Sequence, residues 1–214
     1  MKTPDLIAIA NFWSWLSDRR ADLERLHHPD EPFWDEILGQ LAQIHEGIWI
    51  EISQDMDPRE LVFTAHGDAE VFPSIDALVE DAPNWDGWWF RALKPVSGII
   101  VSTRGDGIDL SPRGFWIMPL RSKKNPSFFG VRVAIPEFND NQVEDPFINA
   151  AWRVIDGLLG ERKSAEGINH LEICSLPESP EQLGYAPIER LPEAFERHQA
   201  RVADNNRGTT SRDS

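Results

Sequence analysis

The 214-residue chain holds one cysteine and one tyrosine, has no long apolar run, and between residues 30 and 86 carries a single basic side chain, Arg59. Each scarcity excludes something. A lone thiol, Cys174, cannot close an internal disulfide and suits a reducing compartment. The longest apolar stretches, such as Leu6 to Ala10 and Gly98 to Val101, fall far short of the roughly 20 residues that a membrane-spanning helix needs. Lys2, Pro4 and Asp5 ahead of a short apolar run lack the length and cleavage site of a secretory signal, so the expected compartment is cytoplasmic. With 21 Lys and Arg against 36 Asp and Glu and a formal charge of −15, neither nucleic acid nor an anionic membrane surface is an expected partner. There is no Gly-rich phosphate loop, no GxSxG elbow and no HExxH helix. His27, His28, His45, His66 and His198 share no metal-ligand spacing with one another or with Cys174. The sequence therefore assigns no catalytic residue, no metal and no cofactor.

What is present is a core. Apolar residues make up 41% of the chain, with 9 Trp and 11 Phe, a composition that folds and that is long enough for one substantial globular domain. Charge is unevenly spread. Residues 1–29 balance four acids against four bases, 30–86 set fifteen acids against Arg59, and 87–136 set Asp106 and Asp109 against eight bases. Hydrophobic periodicity continues through the acidic stretch, which makes it a folded region with a negative surface rather than an acidic tail.

Thr3-Pro4-Asp5 reads as a helix start, followed by Leu6, Ile9, Trp13, Leu16, Leu23 and Leu26 at mostly helical spacing up to His27–Pro29. Asp30, Glu31 and Pro32 open a second helix with Phe33, Ile37, Leu41 and Ile44 on one face, stopped by Gly47. Alternation over 48–52 and 61–65 predicts a hairpin. Phe72-Pro73 opens a short helix that ends before Pro83. Strands are expected at 88–93, 98–103, 115–120 and 128–135, with Asp106-Gly107 as a tight turn. A long helix through Phe147, Ala151, Val154, Ile155 and Leu158 ends at Gly160, and a last strand covers 168–176. The pattern predicts an α+β fold, a mainly antiparallel sheet with two N-terminal helices and one late long helix packed on it. A loosely docked helix over 191–202 closes a single domain, 1–202, and 203–214 reads as a disordered tail, with no apolar residue from Asp204 to Ser214.

Several segments together, Phe12-Trp13-Ser14-Trp15-Leu16, Glu60 through Gly67, Phe72-Pro73, Ala82-Pro83 before Gly87-Trp88, and Ile155 through Glu161, resemble a small family of uncharacterised bacterial single-domain proteins. The resemblance would run from about residue 10 to 190. It implies a bacterial, single-domain protein and no site residue.

Three clusters invite a chemical reading. His170, Glu172 and Cys174 share one face of a strand, but a rise of about 3.3 Å per residue sets His170 and Cys174 about 13 Å apart, too far for a nucleophile and its base. Asp55, Asp57 and Glu60 lack the central Gly and terminal Glu of a calcium loop and read as a solvated turn. Trp88-Trp89 and Phe115-Trp116 are adjacent on strands, so each pair points to opposite faces. An aromatic patch beside carboxylates is how a protein-binding hot spot looks. The expected surface is drawn from Asp35, Glu36, Glu46, Asp55, Asp57, Glu60, Asp68, Glu70, Glu80, Asp81 and Asp86, with Trp85 near the last of them. Within it, Glu80, Asp81, Trp85, Asp86, Asp55 and Asp57 are the residues expected to bind a partner. The expectation is a non-enzymatic protein that binds a basic protein, such as an immunity protein neutralising a cationic toxin. The alternative is an enzyme or small-molecule binder with a Trp-lined, carboxylate-bearing groove.

Overall fold

The computed structural model describes residues 3–53, 56–99, 103–105, 108–139 and 141–210. The fold is α+β. Its strands form a three-stranded sheet, a two-stranded ribbon and a four-stranded sheet rather than one sheet. The chain divides into two compact units, Met1–Lys94 and Pro95–Ser214, where the sequence reading takes 1–202 as one domain. No Gly- or Ser-rich stretch announces the boundary: a strand ends at Ala92 and the next unit begins at Pro95.

In unit 1, α1 (Leu6–Asp18) is capped by Asp5, whose carboxylate accepts the N–H groups of Ile7 and Ala8 at 3.1 Å each. The cap is Asp5, not Thr3, so Pro4 precedes the helix instead of opening it. The chain turns at Arg19 into a short α2 (Arg20–Arg25), then α3 (Pro32–Leu41), which ends before Ile44. β1 (Trp49–Ile52) and β2 (Arg59–Thr64) pair antiparallel with Ile50 opposite Phe63, as the alternation predicts. α4 (Phe72–Glu80) then carries the chain back so that β3 (Trp88–Ala92) lies parallel to β2. A helical return is what parallel pairing requires, and it is the element that an expectation of antiparallel strands leaves out. One sheet face is apolar. Trp13 of α1 meets Phe63 and Phe90 edge-on at centroid distances of 5.8 and 4.7 Å, and its indole N–H donates to the Leu78 carbonyl at 2.8 Å. Burying the ring with its donor satisfied removes the usual penalty for a buried Trp.

Unit 2 starts with a ribbon, β4 (Thr103–Gly105) against β5 (Ile108–Leu110), whose last pair is Gly105 with Ile108. Asp106 and Gly107, the expected turn, lie outside the described residues, as do 100–102 of the expected strand before it. β6 (Trp116–Arg121) and β7 (Phe129–Ile135) form an antiparallel pair. α5 (Asp145–Leu159) ends at Gly160, whose φ of 79° an L side chain rarely adopts, and α6 (Glu161–Gly167) follows. β8 (His170–Ser175) pairs parallel with β7, and β9 (Ala186–Pro187) closes the order β8-β7-β6-β9. Ile117, Val131, Val133 and Ile135 pack with Val154 and Ile155 of α5 in one buried cluster, with Leu171 and Ile173 at its rim because β8 is an edge strand.

The C-terminal helix departs from the sequence reading. α7 (Leu191–Thr210) is not loosely docked: Leu191, Ala194, Phe195 and His198 are buried. The Phe195 ring lies so close to Gly167 that a Cβ there would collide with it. The helix also continues past 202, where a disordered tail was expected. Once a helix is nucleated by a packed segment, adding polar turns costs little.

Candidate partner-binding surface

Unit 1 holds 19 acidic and 7 basic side chains, and unit 2 holds 17 and 14. Among the described residues, the basic groups of unit 1 pair within the unit. Arg59, alone in the acidic stretch, donates through both Nη atoms to the carbonyls of Glu24 (2.9 Å) and Leu26 (2.7 Å) and lies 4.6 Å over the Trp88 ring. Burial holds its pKa below the ordinary arginine value. Arg19 and Arg25 pair with Asp22, and Arg20 pairs with Glu24 at 3.0 Å. Asp57, Asp68, Glu70, Glu80, Asp81 and Asp86 are exposed, so the field of this unit toward solvent is negative.

Glu60 corrects the sequence list. It is 6% exposed, not solvated, because it sits on the central strand β2 beside Arg91 of β3. Arg91 donates from Nε to Glu60 Oε1 at 2.8 Å and places Nη2 2.7 Å from the same oxygen. Buried carboxylates persist where a cation and a hydrogen bond meet them together.

Strand alternation puts Glu60, Val62 and Thr64 on the face opposite Leu61 and Phe63. The register sets Trp49 and Glu51 of β1 and Trp89 and Arg91 of β3 on that same outer face. Trp49 is 46% exposed and Trp89 is 50% exposed. Arg91 lies 5.4 Å from the Trp89 ring, and Lys94 pairs with Glu51 at 3.5 Å. Adjacent Trp88 and Trp89 thus do divide between the faces, with Trp88 buried.

The expected partner residues separate into groups. Glu80 and Asp81 are exposed at the C-terminal end of α4, and Asp86 is exposed in the loop before β3. Trp85, expected as the anchor, is half-buried: its ring meets Phe90 at 5.3 Å and carries the Arg20 guanidinium at 5.3 Å. Arg20 also donates to the Asp86 carbonyl at 2.9 Å. The open ring in this region is Trp89, a residue that strand alternation alone could have marked. Asp57 is exposed in the β1–β2 connection, and Asp55 lies outside the described residues. A groove of about 430 Å³ runs between 79–84 and 88–91, lined by Val79, Ala82, Pro83, Trp88, Trp89 and Phe90 among others. Glu80, Asp81 and Asp86 flank these lining segments in the chain.

In unit 2, the His170, Glu172 and Cys174 cluster is engaged structurally. Glu172 pairs with Arg132, its register neighbour on β7, and His170 Nε2 lies 3.7 Å from the other Glu172 oxygen. Cys174 Sγ lies 3.4 Å from Tyr185 Oη. Burial, and then the contact with Cys174, push the Tyr185 phenol above its ordinary pKa, and the hydrogen bonds that Arg132 donates to Tyr185 and Glu172 raise its own. A phenol held in its protonated form is no base for the thiol. A second groove, about 520 Å³, lies between α6 and α7 and is lined by both Lys163 and Glu166. Among the described residues, no three His, Cys, Asp or Glu side chains converge as a metal set, and no helix is long and apolar enough to cross a membrane. Comparison with family models, with curated proteins and with solved structures gave no match.

Proposed function

We propose that the chain is a non-enzymatic binding protein whose acidic unit engages a basic protein, and that in the cytoplasm of a bacterium it neutralises a cationic toxin as an immunity protein does. The observation that carries this reading is the coincidence, on unit 1, of unneutralised carboxylates with two half-exposed tryptophans. An acidic field speeds encounter with a cationic partner, and desolvated aromatic anchors slow its escape. The lone cysteine fits a reducing compartment.

The test is kinetic. The triple variant Glu80→Lys, Asp81→Lys, Asp86→Lys is compared with the parent chain in stopped-flow mixing against the partner captured from the source cell. Association should slow in the variant, and in the parent chain it should fall steeply between low and physiological salt. A captured partner that is itself acidic, or a rate indifferent to salt and to the reversals, would remove the proposal. A groove of about 430 Å³ faced by Trp88, Trp89 and Phe90 also falls in the size range of small-molecule sites. A metabolic operon around the gene would favour that reading, and a large secreted toxin gene would favour the first.

A further inference from the structure

The three-stranded sheet ends on β3, and the backbone of that strand alternates in a way the hydrogen bonds fix. Arg59 N–H donates to the Gly87 carbonyl at 3.0 Å, and Leu93 N–H donates to the Phe63 carbonyl at 2.8 Å. Odd-numbered residues of 87–93 therefore turn their peptide groups toward β2. The N–H and C=O of Phe90 and Ala92 turn the other way, and among the described residues no strand pairs with them.

The groove lies at the same place. It is lined by Trp88 and Phe90, which belong to one sheet face, and by Trp89 and Arg91, which belong to the other. Four consecutive strand residues drawn from both faces line one groove only along the edge of the strand. Its far wall is formed by Val79, Ala82, Pro83 and Asn84, and Glu80 and Asp81, between Val79 and Ala82 in the chain, are exposed without lining it. An open sheet edge is a template for another chain, and proteins that do not use such an edge cover it or charge it.

We infer that β3 accepts an extended lysine- or arginine-bearing segment of the partner as a fourth strand. The inference rests on the acidic-surface reading and adds the mode of binding. Peptide groups of the incoming strand pair with Phe90 and Ala92. Its side chains alternate, so one set passes along the half-exposed Trp89 ring, which already carries the Arg91 guanidinium on one side, while the exposed carboxylates of unit 1, Glu80 and Asp81 among them, supply the negative field that selects a cationic segment. A second copy of this chain is the disfavoured occupant, since edge-to-edge pairing would bring two strongly acidic units together.

The probe is a capped eight-residue peptide of alternating Lys and Thr, set against its counterpart methylated at every backbone nitrogen, which keeps charge and length but has no backbone N–H donors. Each is titrated at low salt into the ¹⁵N-labelled full chain, into Ala92→Pro, and into the triple reversal at Glu80, Asp81 and Asp86. The donor that Ala92→Pro removes faces away from β2, and because the ring also restricts φ at 92 and the backbone of Arg91, the amide shifts of β2 in the variant are compared with those of the parent chain to show that the sheet is kept. The expected result is that the unmethylated peptide shifts the Phe90 and Ala92 amides and slows their exchange. Methylation or Ala92→Pro should weaken binding about tenfold or more, and the triple reversal should weaken both peptides. If the methylated peptide binds equally well and still responds to the triple reversal, edge pairing is wrong and the acidic surface stands. If neither peptide binds at millimolar concentration, both readings fall. If the two amides are already protected, in proportion to protein concentration, a second copy occupies the edge and the inference is overturned.

Discussion

The two units use the same run of chain and finish it differently. Each has an antiparallel hairpin, a helical return, and a third strand parallel to the second: β1, β2, α4, β3 in one and β6, β7, α5 with α6, β8 in the other. Each buries one sheet face under helices. Their outer faces diverge. In unit 2, Arg132 and Glu172 pair across the register and Tyr185 meets Cys174. In unit 1, Trp49 and Trp89 stand half in water on the strands to either side of the one that carries the buried Glu60, in a unit whose charge is predominantly negative. Cores of equivalent construction have therefore been given unlike surfaces, and it is in surfaces rather than in connections that a function is to be sought.

The likeness of the cores is the easiest part of this comparison to break. Phe63 in unit 1 and Phe129 in unit 2 are both fully buried in aromatic contacts, Phe63 with Phe12 and Trp13, Phe129 with Phe195. Phe63→Ala and Phe129→Ala should each cost about 3 to 5 kcal/mol in urea unfolding. A loss under about 1 kcal/mol at either site would show that its unit is not built around that ring.

The ion pairs sharpen the contrast in outer faces. Glu60 is buried and Arg91 keeps 40% of its side chain exposed, whereas Glu172 and Arg132 are 35% and 37% exposed. Glu60→Ala should cost about 1 to 3 kcal/mol, less than for a wholly buried pair because the stranded guanidinium still reaches water. Glu172→Ala should cost under about 1 kcal/mol, the ordinary worth of an accessible pair. Equal losses in the two melting curves would erase the distinction. Smaller still on stability, the reversals at Glu80, Asp81 and Asp86 should leave the melting temperature nearly unchanged, since exposed carboxylates contribute little to the fold.

Most of this fold is legible from periodicity. The hairpin of β1 and β2, the helix from Phe72, the strands carrying Trp116 and Phe129, and the stop at Gly160 all follow from spacing and punctuation. The division of strands between two sheets was not legible, because Lys94-Pro95 has neither the length nor the composition of a linker. Parallel pairing was hidden for a related reason: β3 and β8 read as strands, but nothing in a strand's own residues names its neighbour. At the candidate surface the exposed carboxylates Asp57, Glu80, Asp81 and Asp86 could be named from composition. Glu60 could not, since its burial depends on Arg91, 31 positions away and brought alongside by α4. The half-burial of Trp85 could not be read either, because its cover comes from Arg20 in α2, a contact between segments distant in sequence.

The finest distinction between the units is the direction of their response to pH. In unit 1 the Asp22 carboxyl is held below its ordinary pKa by hydrogen bonds from Arg19 and then Arg25, and the Glu31 carboxyl by the backbone N–H groups of His27 and His28, at 2.8 and 2.7 Å. A carboxylate whose folded pKa is depressed contributes stability that is present above its unfolded value, near pH 4, and lost as pH falls through the lower folded value. In unit 2 the raised Tyr185 works oppositely: its contribution is present below the ordinary phenol pKa of about 10 and lost as pH rises through the higher folded value. Local opening followed by amide exchange should therefore increase at His27 and His28 on acidification, and around β8 and Tyr185 in alkali. Glu31→Gln keeps an acceptor for the two N–H groups but does not titrate, so it should open that turn somewhat at neutral pH and remove its acid dependence. Tyr185→Phe should do the equivalent at the alkaline end. If acid opens both units together with the same midpoint in the parent chain and in Glu31→Gln, the sensitivity resides in other carboxylates and the contrast between the units does not extend to pH.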